Sequence, residues 1–314
     1  MALLATTSGL PLADAPDLNI YVAGAESNVA SGLAHLGHGA EWFGRVGRDP
    51  FGSRVLESLH ARGVATPHVV EDPVRPTGLY IKDVGTARTP VYYYRRGSAA
   101  SAMSAPDIAS MDLACRRLCH VSGITAALSD SCDELLTQLV TARRPSGPVI
   151  SFDVNYRRPL WDVAVAGPRL AALASHADIV IVGRDEAETL WGTSDPLSVR
   201  ELFANVPQLV VKDDAAGATV FVGPDQRFVP ALAVDVVEPV GAGDAFAAGY
   251  LSAWIRGDAP ETGLRMGHLM AALTLLHVSD LPPLPDATLF RSLAAVSDPE
   301  WAALDVATVA GIQA

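Results

Sequence analysis

The chain contains 314 residues, of which 49% are hydrophobic and 18% are charged. This composition excludes a disordered or collagen-like chain, and the length allows one large α/β domain or two smaller ones. The 35 acidic residues outnumber the 23 basic ones and give a net charge of -12, which would repel a nucleic-acid backbone. We therefore expect no nucleic-acid partner.

The cysteines and the apolar segments bear on the compartment. Three cysteines, without paired spacing, do not indicate a disulfide framework. Residues 1–15 are apolar but lack a basic leader, and no apolar run approaches the roughly 18 residues that a membrane span needs. We expect a soluble cytoplasmic protein with no membrane segment.

Helical and strand-like patterns alternate along most of the chain. The patterns predict helices at 27–36, 51–62, 131–144, 167–176, 186–191, 197–203 and 245–256, and strands at 40–45, 118–122, 149–153, 179–182 and 208–211. Such alternation favours a parallel sheet that is covered by helices on both faces. The predicted fold class is doubly wound α/β, and an amphipathic helix with an alanine-rich tail is expected in 285–314.

Two β-rich stretches interrupt this alternation. Residues 18–23 form one, and residues 77–82 together with 91–96 form the other, with no helical pattern between the last two. Short antiparallel strands inserted into an α/β chain usually form a flap over the site. We therefore predict a small β lid near 18–24 and 75–98.

A glycine-rich turn precedes the predicted helix at 245–256. Gly241, Ala242, Gly243 and Asp244 would present free N–H groups and the positive end of the helix dipole to an anion such as a phosphate. Asp244 could instead simply cap the helix. Phe246 stands where a dinucleotide fingerprint needs its third glycine, and the sequence has no Gly-Lys pair for a P-loop.

Several segments resemble a known family. Three are similar to the N- and C-terminal signatures of the ribokinase-like (PfkB) sugar kinases, namely GAESNVA at 24–30, RVGRDPFG at 45–52 and EPVGAGDAF at 238–246. Three others look most like those of 2-keto-3-deoxygluconate kinases, namely residues 92–101, 120–125 and 153–161. The resemblance spans nearly the whole chain. It implies one ribokinase-like α/β/α kinase domain over 1–314, which transfers the γ-phosphoryl of ATP to the 6-hydroxyl of that sugar acid.

The resemblance also implies the catalytic residues. Asp244 would be the base that accepts the proton of the sugar hydroxyl, while the turn Gly241, Ala242 and Gly243 holds the γ-phosphoryl with its amides. Mg²⁺ would complete the charge neutralisation. Glu186 stands at the place of the family's metal-associated glutamate, although it would otherwise be an ordinary exposed helix residue.

A second implied group would bind the nucleotide. Its members are Asn155, Lys212, Gly217, Gly241, Gly243 and His268. Lys212 could equally be a surface charge at the end of a strand, and His268 could be a histidine on a helix surface. Asp214 stands where relatives commonly have glycine, and Gly183 stands where they usually have asparagine.

The implied acceptor is a keto-deoxy acid, whose carboxylate needs local cations in an acidic protein. Strand alternation puts Tyr93 and Arg95 on one face of the lid, and Arg157 follows a core strand at the crevice side of the sheet. Arg95 could instead be a solvated lid charge, Tyr80 lid packing and Asp280 the start of a turn. The implied acceptor-binding residues are Gly24, Asn28, Tyr80, Tyr93, Arg95, Arg157 and Asp280.

Some alternatives remain open from the sequence. Another kinase of the same family could act on fructose, a ribonucleoside or the keto-deoxygalactonate epimer, and a nonenzymatic sugar-acid or nucleotide sensor could keep the fold. A nicotinamide oxidoreductase is the remotest alternative, since its glycine fingerprint is missing. Lid-edge strands are expected to pair between subunits in a homo-oligomer.

The beginning of the sequence departs from the family pattern. Relatives open with a strand that ends in Gly-Glu, and residues 1–4 look like the segment that follows it. We expect the first core strand to be absent from this sequence, either because the start codon was assigned too late or because the sheet tolerates a gap. The late start is the favoured explanation, since an unpaired central strand would expose backbone groups.

Overall fold

The structure is a computed structural model that describes residues 1–6, 10–83, 90–109, 111–142 and 147–311. Its strands are β1 Ala2–Thr6, β2 Leu18–Val22, β3 Ala40–Glu41, β4 Gly44–Gly47, β5 Val64–Ala65, β6 Val69–Asp72, β7 Leu79–Lys82, β8 Val91–Tyr94, β9 Leu118–Ser122, β10 Val149–Asp153, β11 Ile179–Gly183, β12 Gln208–Asp213, β13 Gly217–Val222 and β14 Asp225–Pro230. Its α-helices are α1 Ala25–His35, α2 Pro50–Ala61, α3 Ala105–Ala109, α4 Gly123–Ala126, α5 Asp130–Thr141, α6 Val163–Ala174, α7 Arg184–Trp191, α8 Pro196–Leu202, α9 Ala242–Arg256, α10 Pro260–Leu275, α11 Ala287–Ala294, α12 Asp298–Ala302 and α13 Val306–Val309.

The central sheet has the strand order β14-β13-β12-β11-β10-β9. Strands β9 to β12 run parallel, and β13 and β14 add an antiparallel hairpin at one edge. Along β11, Val180 and Val182 enter the core that contains α5 and α6, whereas Ile179 and Ile181 enter the core that contains α9 and α10. Because alternate side chains are buried on opposite faces, the sheet is covered by helices on both sides, and the predicted fold class is confirmed.

Helix α9 is buried along most of its length and packs closely on α10. A Cβ atom at Gly249 would lie 2.3 Å from the carbonyl oxygen of Met266, so only glycine permits this approach. The start of α9 also reaches the carboxyl ends of the parallel strands, because the Lys212 ammonium of β12 lies 3.3 Å from where a Cβ atom of Gly243 would be. The glycine-rich turn therefore lies on the crevice side of the sheet, where open α/β folds bind ligands.

The predicted lid is a four-stranded sheet with the order β2-β1-β7-β8. Its strands β2, β7 and β8 fall in the predicted segments. Strand β1 was not predicted, and it pairs antiparallel with β2 but parallel with β7, so the sheet is mixed. The inner face of the lid carries Leu3 and Tyr80, which are buried with Ala23 in a small core of their own.

The single strand predicted at 40–45 is wrong, because that segment forms two short strands. β3 pairs with β5 and β4 pairs with β6. The break occurs where the Trp42 ring folds over Gly44. A Cβ atom at Gly44 would lie 2.7 Å from a carbon of that ring. The β13–β14 hairpin was not predicted, and the single amphipathic helix expected near the end is replaced by the three short helices α11 to α13.

Strand β9 ends the central sheet. It pairs with β10, and within the described residues no strand pairs with its other edge. Residues of both β9 and β4 line one large cavity. Within the same part of the chain, none of the helices combines the length and the apolar character that a bilayer crossing requires.

Candidate active site

A cavity of about 590 Å³ lies between the inner face of the lid and the start of α9. All seven residues that were predicted to bind the acceptor line it, together with Asn155, Gly241 and Asp244. The fold therefore brings together residues from both ends of the sequence. The roles of these residues stay predictions, but their common location meets the first requirement for a shared site.

The turn into α9 has the geometry of an anion-binding helix start. Gly241 has a φ of 95°, and a Cβ atom there would lie 2.9 Å from the Cβ of Asp280, so the position requires glycine. The helix begins at Ala242, three residues before the predicted start, and the N–H groups of its first turn have no partners within the helix. The Ala242 N–H donates to the carbonyl oxygen of Pro239 at 3.3 Å, which leaves those of Gly243 and Asp244 as the better anion donors.

Asp244 is buried at this helix start, with 8% of its surface exposed. Its carboxylate accepts hydrogen bonds from the side-chain amides of Asn28 at 2.8 Å and Asn155 at 3.3 Å. Burial raises the pKa of Asp244 to about 7, and the Asn28 hydrogen bond opposes that shift. A carboxylate with a pKa near neutrality and a fixed orientation is suited to accept a proton.

The two amides that hold Asp244 also offer acceptors. Because their NH₂ groups face the carboxylate, their carbonyl oxygens point elsewhere, and both are buried without a hydrogen-bond partner in the structure. Asn155 adopts the left-handed conformation, with a φ of 41°, two residues after the end of β10. Buried acceptors without partners are costly, so these two oxygens suit the hydroxyl groups of a ligand.

Lys212 belongs to a second charged group beside the turn. Its ammonium lies 3.3 Å from Asp153 Oδ2 and is partly accessible, with 20% of the side chain exposed. Burial alone would lower the pKa of Lys212, but the carboxylates of Asp153 and Glu186 raise it above its ordinary value. The residue is therefore a charged ammonium at the glycine turn and not an isolated surface charge.

Glu186 lies in the first turn of α7, where it caps the helix. Its Oε2 accepts a hydrogen bond from the Gly183 N–H at 2.9 Å, and its Oε1 lies 3.6 Å from the Arg157 guanidinium. Burial raises the pKa of Glu186, and Lys212 opposes the shift. Only 16% of the side chain is exposed, so the alternative of an ordinary exposed helix residue is wrong.

Two arginines face the same cavity from different elements. Arg95 follows β8 and is only 8% exposed, and its guanidinium lies 4.3 Å from the centre of the Tyr93 ring. Its Nε and one Nη have no hydrogen-bond partner in the structure, and burial lowers the pKa of the group. Tyr94 and Arg96 are exposed on the other side, which confirms the predicted alternation along this segment and excludes a solvated Arg95.

Asp280 and Tyr80 form a closed pair at the edge of the cavity. The Tyr80 hydroxyl donates to Asp280 Oδ2 at 2.8 Å, and the Lys82 ammonium donates to Asp280 Oδ1 at the same distance. Burial and the neighbouring carboxylate raise the pKa of Tyr80 well above its ordinary value. Both oxygens of Asp280 are therefore engaged inside the protein, which favours a bracing function over direct contact with an acceptor.

Four residues of the implied nucleotide group do not line the cavity, namely Lys212, Gly243, Gly217 and His268. The first two lie at the glycine turn. His268 is buried in α10, its Nε2 lies 3.1 Å from the carbonyl oxygen of Val229, and burial lowers its pKa to about 4. The alternative that His268 lies on a helix surface is therefore wrong. A Cβ atom at Gly217 would lie 2.3 Å from the same carbonyl, so this glycine permits the close pairing of β13 with β14. Asp214 is exposed and takes the left-handed conformation that the family's glycine would adopt easily.

Sequence reasoning missed three charged residues of the site. Asp153 pairs with Lys212, Glu26 accepts hydrogen bonds from Ser122 and Thr125 at the cavity wall, and Lys82 lies beneath Asp280. Asp153 ends a buried strand, which is a usable signal for a site residue. Lys82 is one of only two lysines in the chain.

The pfkB family carbohydrate kinase model matches residues 3–287. The chain belongs to this family of carbohydrate kinases. The resemblance of the three signature segments to this family is thereby confirmed, and the alternative of a nicotinamide oxidoreductase is wrong.

Curated relatives of this PfkB kinase include enzymes for sugar acids. It is 34% identical to the 2-dehydro-3-deoxygluconokinase of Bacillus subtilis, over 84% of this chain and 83% of the relative. It is also 34% identical to the enzyme of that name from Thermoproteus tenax, over 84% and 82%. A 2-dehydro-3-deoxygalactonokinase of Haloferax volcanii is 32% identical over 87% of both chains.

Solved structures agree with the family. A PfkB protein from Polaromonas sp. JS666 has a TM-score of 0.83 and 32% identity, and the match covers 94% of this chain and 97% of that one. The fructokinase of Vibrio cholerae O395, solved with fructose, ADP and calcium ion, has a TM-score of 0.81 and 25% identity, with 93% and 96% covered. The chain is thus a ribokinase-like sugar kinase in both sequence and fold.

Proposed function

We propose that this kinase transfers the γ-phosphoryl of ATP to the 6-hydroxyl of 2-keto-3-deoxygluconate. The observation that carries the proposal is Arg95, a buried cation with unpartnered N–H donors, which lines the cavity together with Arg157 and Asp244. A buried guanidinium without an anion is costly, and a bound carboxylate would satisfy it. The sugar-acid kinases among the relatives support the same acceptor.

The acceptor would lie between the arginines and the catalytic base. Arg95 and Arg157 would bind its carboxylate through charge-assisted hydrogen bonds. The free oxygens of Asn28 and Asn155 would accept hydrogen bonds from its hydroxyl groups. A neutral sugar would leave Arg95 without an anion, which is why fructose fits the site less well.

Asp244 would act as the general base of the transfer. Its carboxylate would accept the proton of the 6-hydroxyl as the new oxygen–phosphorus bond forms and the bond to the leaving ADP oxygen breaks. The N–H groups of Gly243 and Asp244, with the Lys212 ammonium beside them, would stabilise the charge on the transferred group. The nonenzymatic alternative does not use this base.

A magnesium ion fits the site as a companion of the nucleotide. Within the described residues no group of three potential ligands forms a metal cage. Mg²⁺ is usually held by one or two carboxylates together with substrate phosphates, and Glu186 and Asp153 would supply the carboxylate here. When bound, the ion would neutralise phosphate charge.

The proposal can be tested by measuring ADP release with a panel of acceptors. The panel contains 2-keto-3-deoxygluconate, its galactonate epimer, fructose and a ribonucleoside. Arg95→Ala or Arg157→Ala should raise KM for the sugar acid by about 10- to 150-fold, because a hydrogen bond to a charged group is worth about 1.5–3 kcal/mol. KM for ATP should change little.

Matched controls are available next to each arginine. Arg96 and Arg158 are exposed neighbours, and their replacement by alanine should leave KM for the acceptor unchanged. Strong turnover of fructose with none of a keto acid would refute the acceptor assignment. The epimer's relative rate decides between gluconate and galactonate stereochemistry. Ligand binding without ATP turnover on any acceptor would favour a sensor.

We also propose that the enzyme forms a homo-oligomer through the outer face of its lid. Ile20, Tyr92 and Tyr94 are exposed there by 39%, 45% and 61%. Ile20 and Tyr92 belong to one cross-strand row that passes through Leu4 and Ile81. Light scattering should show an oligomer for the wild type and a monomer for Tyr92→Ser/Tyr94→Ser, and a monomeric wild type would refute the proposal.

A cytoplasmic location is part of the proposal. All three cysteines are free, and Cys119 and Cys132 are buried. Free thiols fit a reducing compartment. Fractionation of the native host would test the location, and recovery outside the cytoplasm would contradict it.

A further inference from the structure

Lys82 is a fully buried cation that the proposed reaction does not use. It ends lid strand β7, its side chain is 0% exposed, and its ammonium lies 2.8 Å from Asp280 Oδ1 and 3.2 Å from the carbonyl oxygen of Val278. Glu238 Oε1 lies 3.9 Å away. A lysine is almost never buried completely unless it is paired, so the burial of Lys82 points to a specific role for its charge.

Both carboxylates around Lys82 support the phosphate-binding turn. Glu238 Oε1 accepts a hydrogen bond at 3.1 Å from the N–H of Val240, the residue that leads into Gly241 and the turn. Asp280 packs against Gly241, the left-handed residue that begins α9. Glu238 is 1% exposed and Asp280 is 4% exposed, so water solvates neither carboxylate and each needs partners within the protein.

The ammonium therefore joins two parts of the molecule. Without it, two buried carboxylates would face each other across the base of the turn, and their repulsion would displace Gly241 and the N–H groups that follow. A displacement of about 1 Å in a catalytic group can cost on the order of a hundredfold in rate. Lys82 reaches this place from the lid, which also covers the proposed acceptor.

We propose that Lys82 is a positioning residue, an internal cation that holds the Glu238–Gly241 turn in its phosphate-binding conformation and couples it to lid strand β7. This inference deepens the proposed function and rests on it. Its replacement should lower kcat and leave KM for the acceptor nearly unchanged, because the acceptor's contacts lie on other residues. It also follows that a small external cation can replace the missing ammonium.

The experiment uses Lys82→Ala, which leaves a space behind the turn. We expect kcat to fall at least about tenfold and KM for the acceptor to change less than about threefold. About 100 mM ammonium or methylammonium chloride should restore a large part of kcat and raise the melting temperature of the variant, since a bound ion stabilises the folded state. Tetramethylammonium chloride at equal ionic strength is too large to enter and should do neither.

Arg265→Met is the matched control. Arg265 is another buried cation, 6% exposed, which pairs with Asp298 on a face away from the cavity. Its replacement should lower stability without any rescue of kcat by ammonium. Wild-type kcat in folded Lys82→Ala, or stability restored by ammonium without kcat, would overturn the proposal.

Two further arms make each result interpretable. If Lys82→Ala does not fold, Lys82→Met fills the space but leaves both carboxylates without the ammonium, and wild-type kcat in that folded variant would overturn the positioning role. The melting-temperature response to ammonium needs no acceptor. If wild-type enzyme fails to phosphorylate 2-keto-3-deoxygluconate, the proposed function fails, and the kcat arms are run with the best acceptor of the panel.

Discussion

Two buried carboxylates flank the same glycine turn, yet their surroundings differ. Asp244 and Asp280 are 8% and 4% exposed; Asp280 packs against Gly241, and Asp244 follows Gly241 by three residues. Asp244 is held by two neutral amides, and its pKa is raised to about 7. Asp280 is held by an ammonium and a phenol hydroxyl.

This difference shows that burial alone does not make a carboxylate a base. Neutral donors orient Asp244 without cancelling its charge, so the group keeps a high proton affinity. Asp280 instead contacts the Lys82 ammonium and the Tyr80 hydroxyl, which occupy both of its oxygens. The first group suits chemistry, and the second suits support of the turn.

The largest expected effect is the loss of catalysis in the Asp244→Asn variant. The variant should bind ATP and acceptor within a few fold of wild type, while kcat falls about 10²-fold or more, because the base is lost and the shape is kept. Steady-state and single-turnover rates would measure it. Turnover near the wild-type value would mean that Asp244 only caps the helix and that, like Asp280, it has no role as a base.

The next largest effect is the loss of stability that we expect for the Asp280→Asn variant. Removing one partner of a buried ion pair costs about 3–5 kcal/mol, because Lys82 would stay buried without its nearest anion. Urea unfolding would measure the free energy of unfolding. We expect a larger loss than for Asp244→Asn, whose partners are neutral.

Tyr80→Phe should lower the free energy of unfolding by less than Asp280→Asn does. It removes only the hydroxyl that donates to Asp280, so the loss should be about 1.5–3 kcal/mol, the value of a hydrogen bond to a charged group. KM for the acceptor should change little if the Tyr80 hydroxyl serves Asp280. A large rise in KM with unchanged stability would instead make Tyr80 an acceptor-binding residue.

The smallest effect is a pH dependence that only Asp244 should produce. Since the raised pKa keeps this carboxyl protonated below about 7, kcat/KM should fall about tenfold for each pH unit below that value and level off above it. Asn28→Ala removes a hydrogen bond that lowers the pKa, so the acid limb should move to higher pH. Asp244→Asn measures the part that comes from the nucleotide's own ionisation, and an unchanged acid limb in that variant would contradict the assignment.

Local patterns in the sequence predicted the core strands and the face of the lid. The predicted ranges 118–122 and 149–153 match β9 and β10 residue for residue, and Tyr93 and Arg95 share the predicted face. The glycine turn was also recognisable, because its spacing sets backbone geometry directly. Side-chain alternation and turn chemistry are local properties, so a short window of sequence contains them.

Only the tertiary structure decided which buried charges meet. Lys82 finds Asp280 across 198 positions, and Asn28 finds Asp244 across 216. His268 lies in α10, a helix that the sequence patterns did not predict, and its ring is buried against β14. Composition and periodicity indicated a layered α/β fold, and the resemblance of its motifs to a family indicated a kinase. They could not determine proton affinities, because those depend on burial and on charges that distant segments bring into contact.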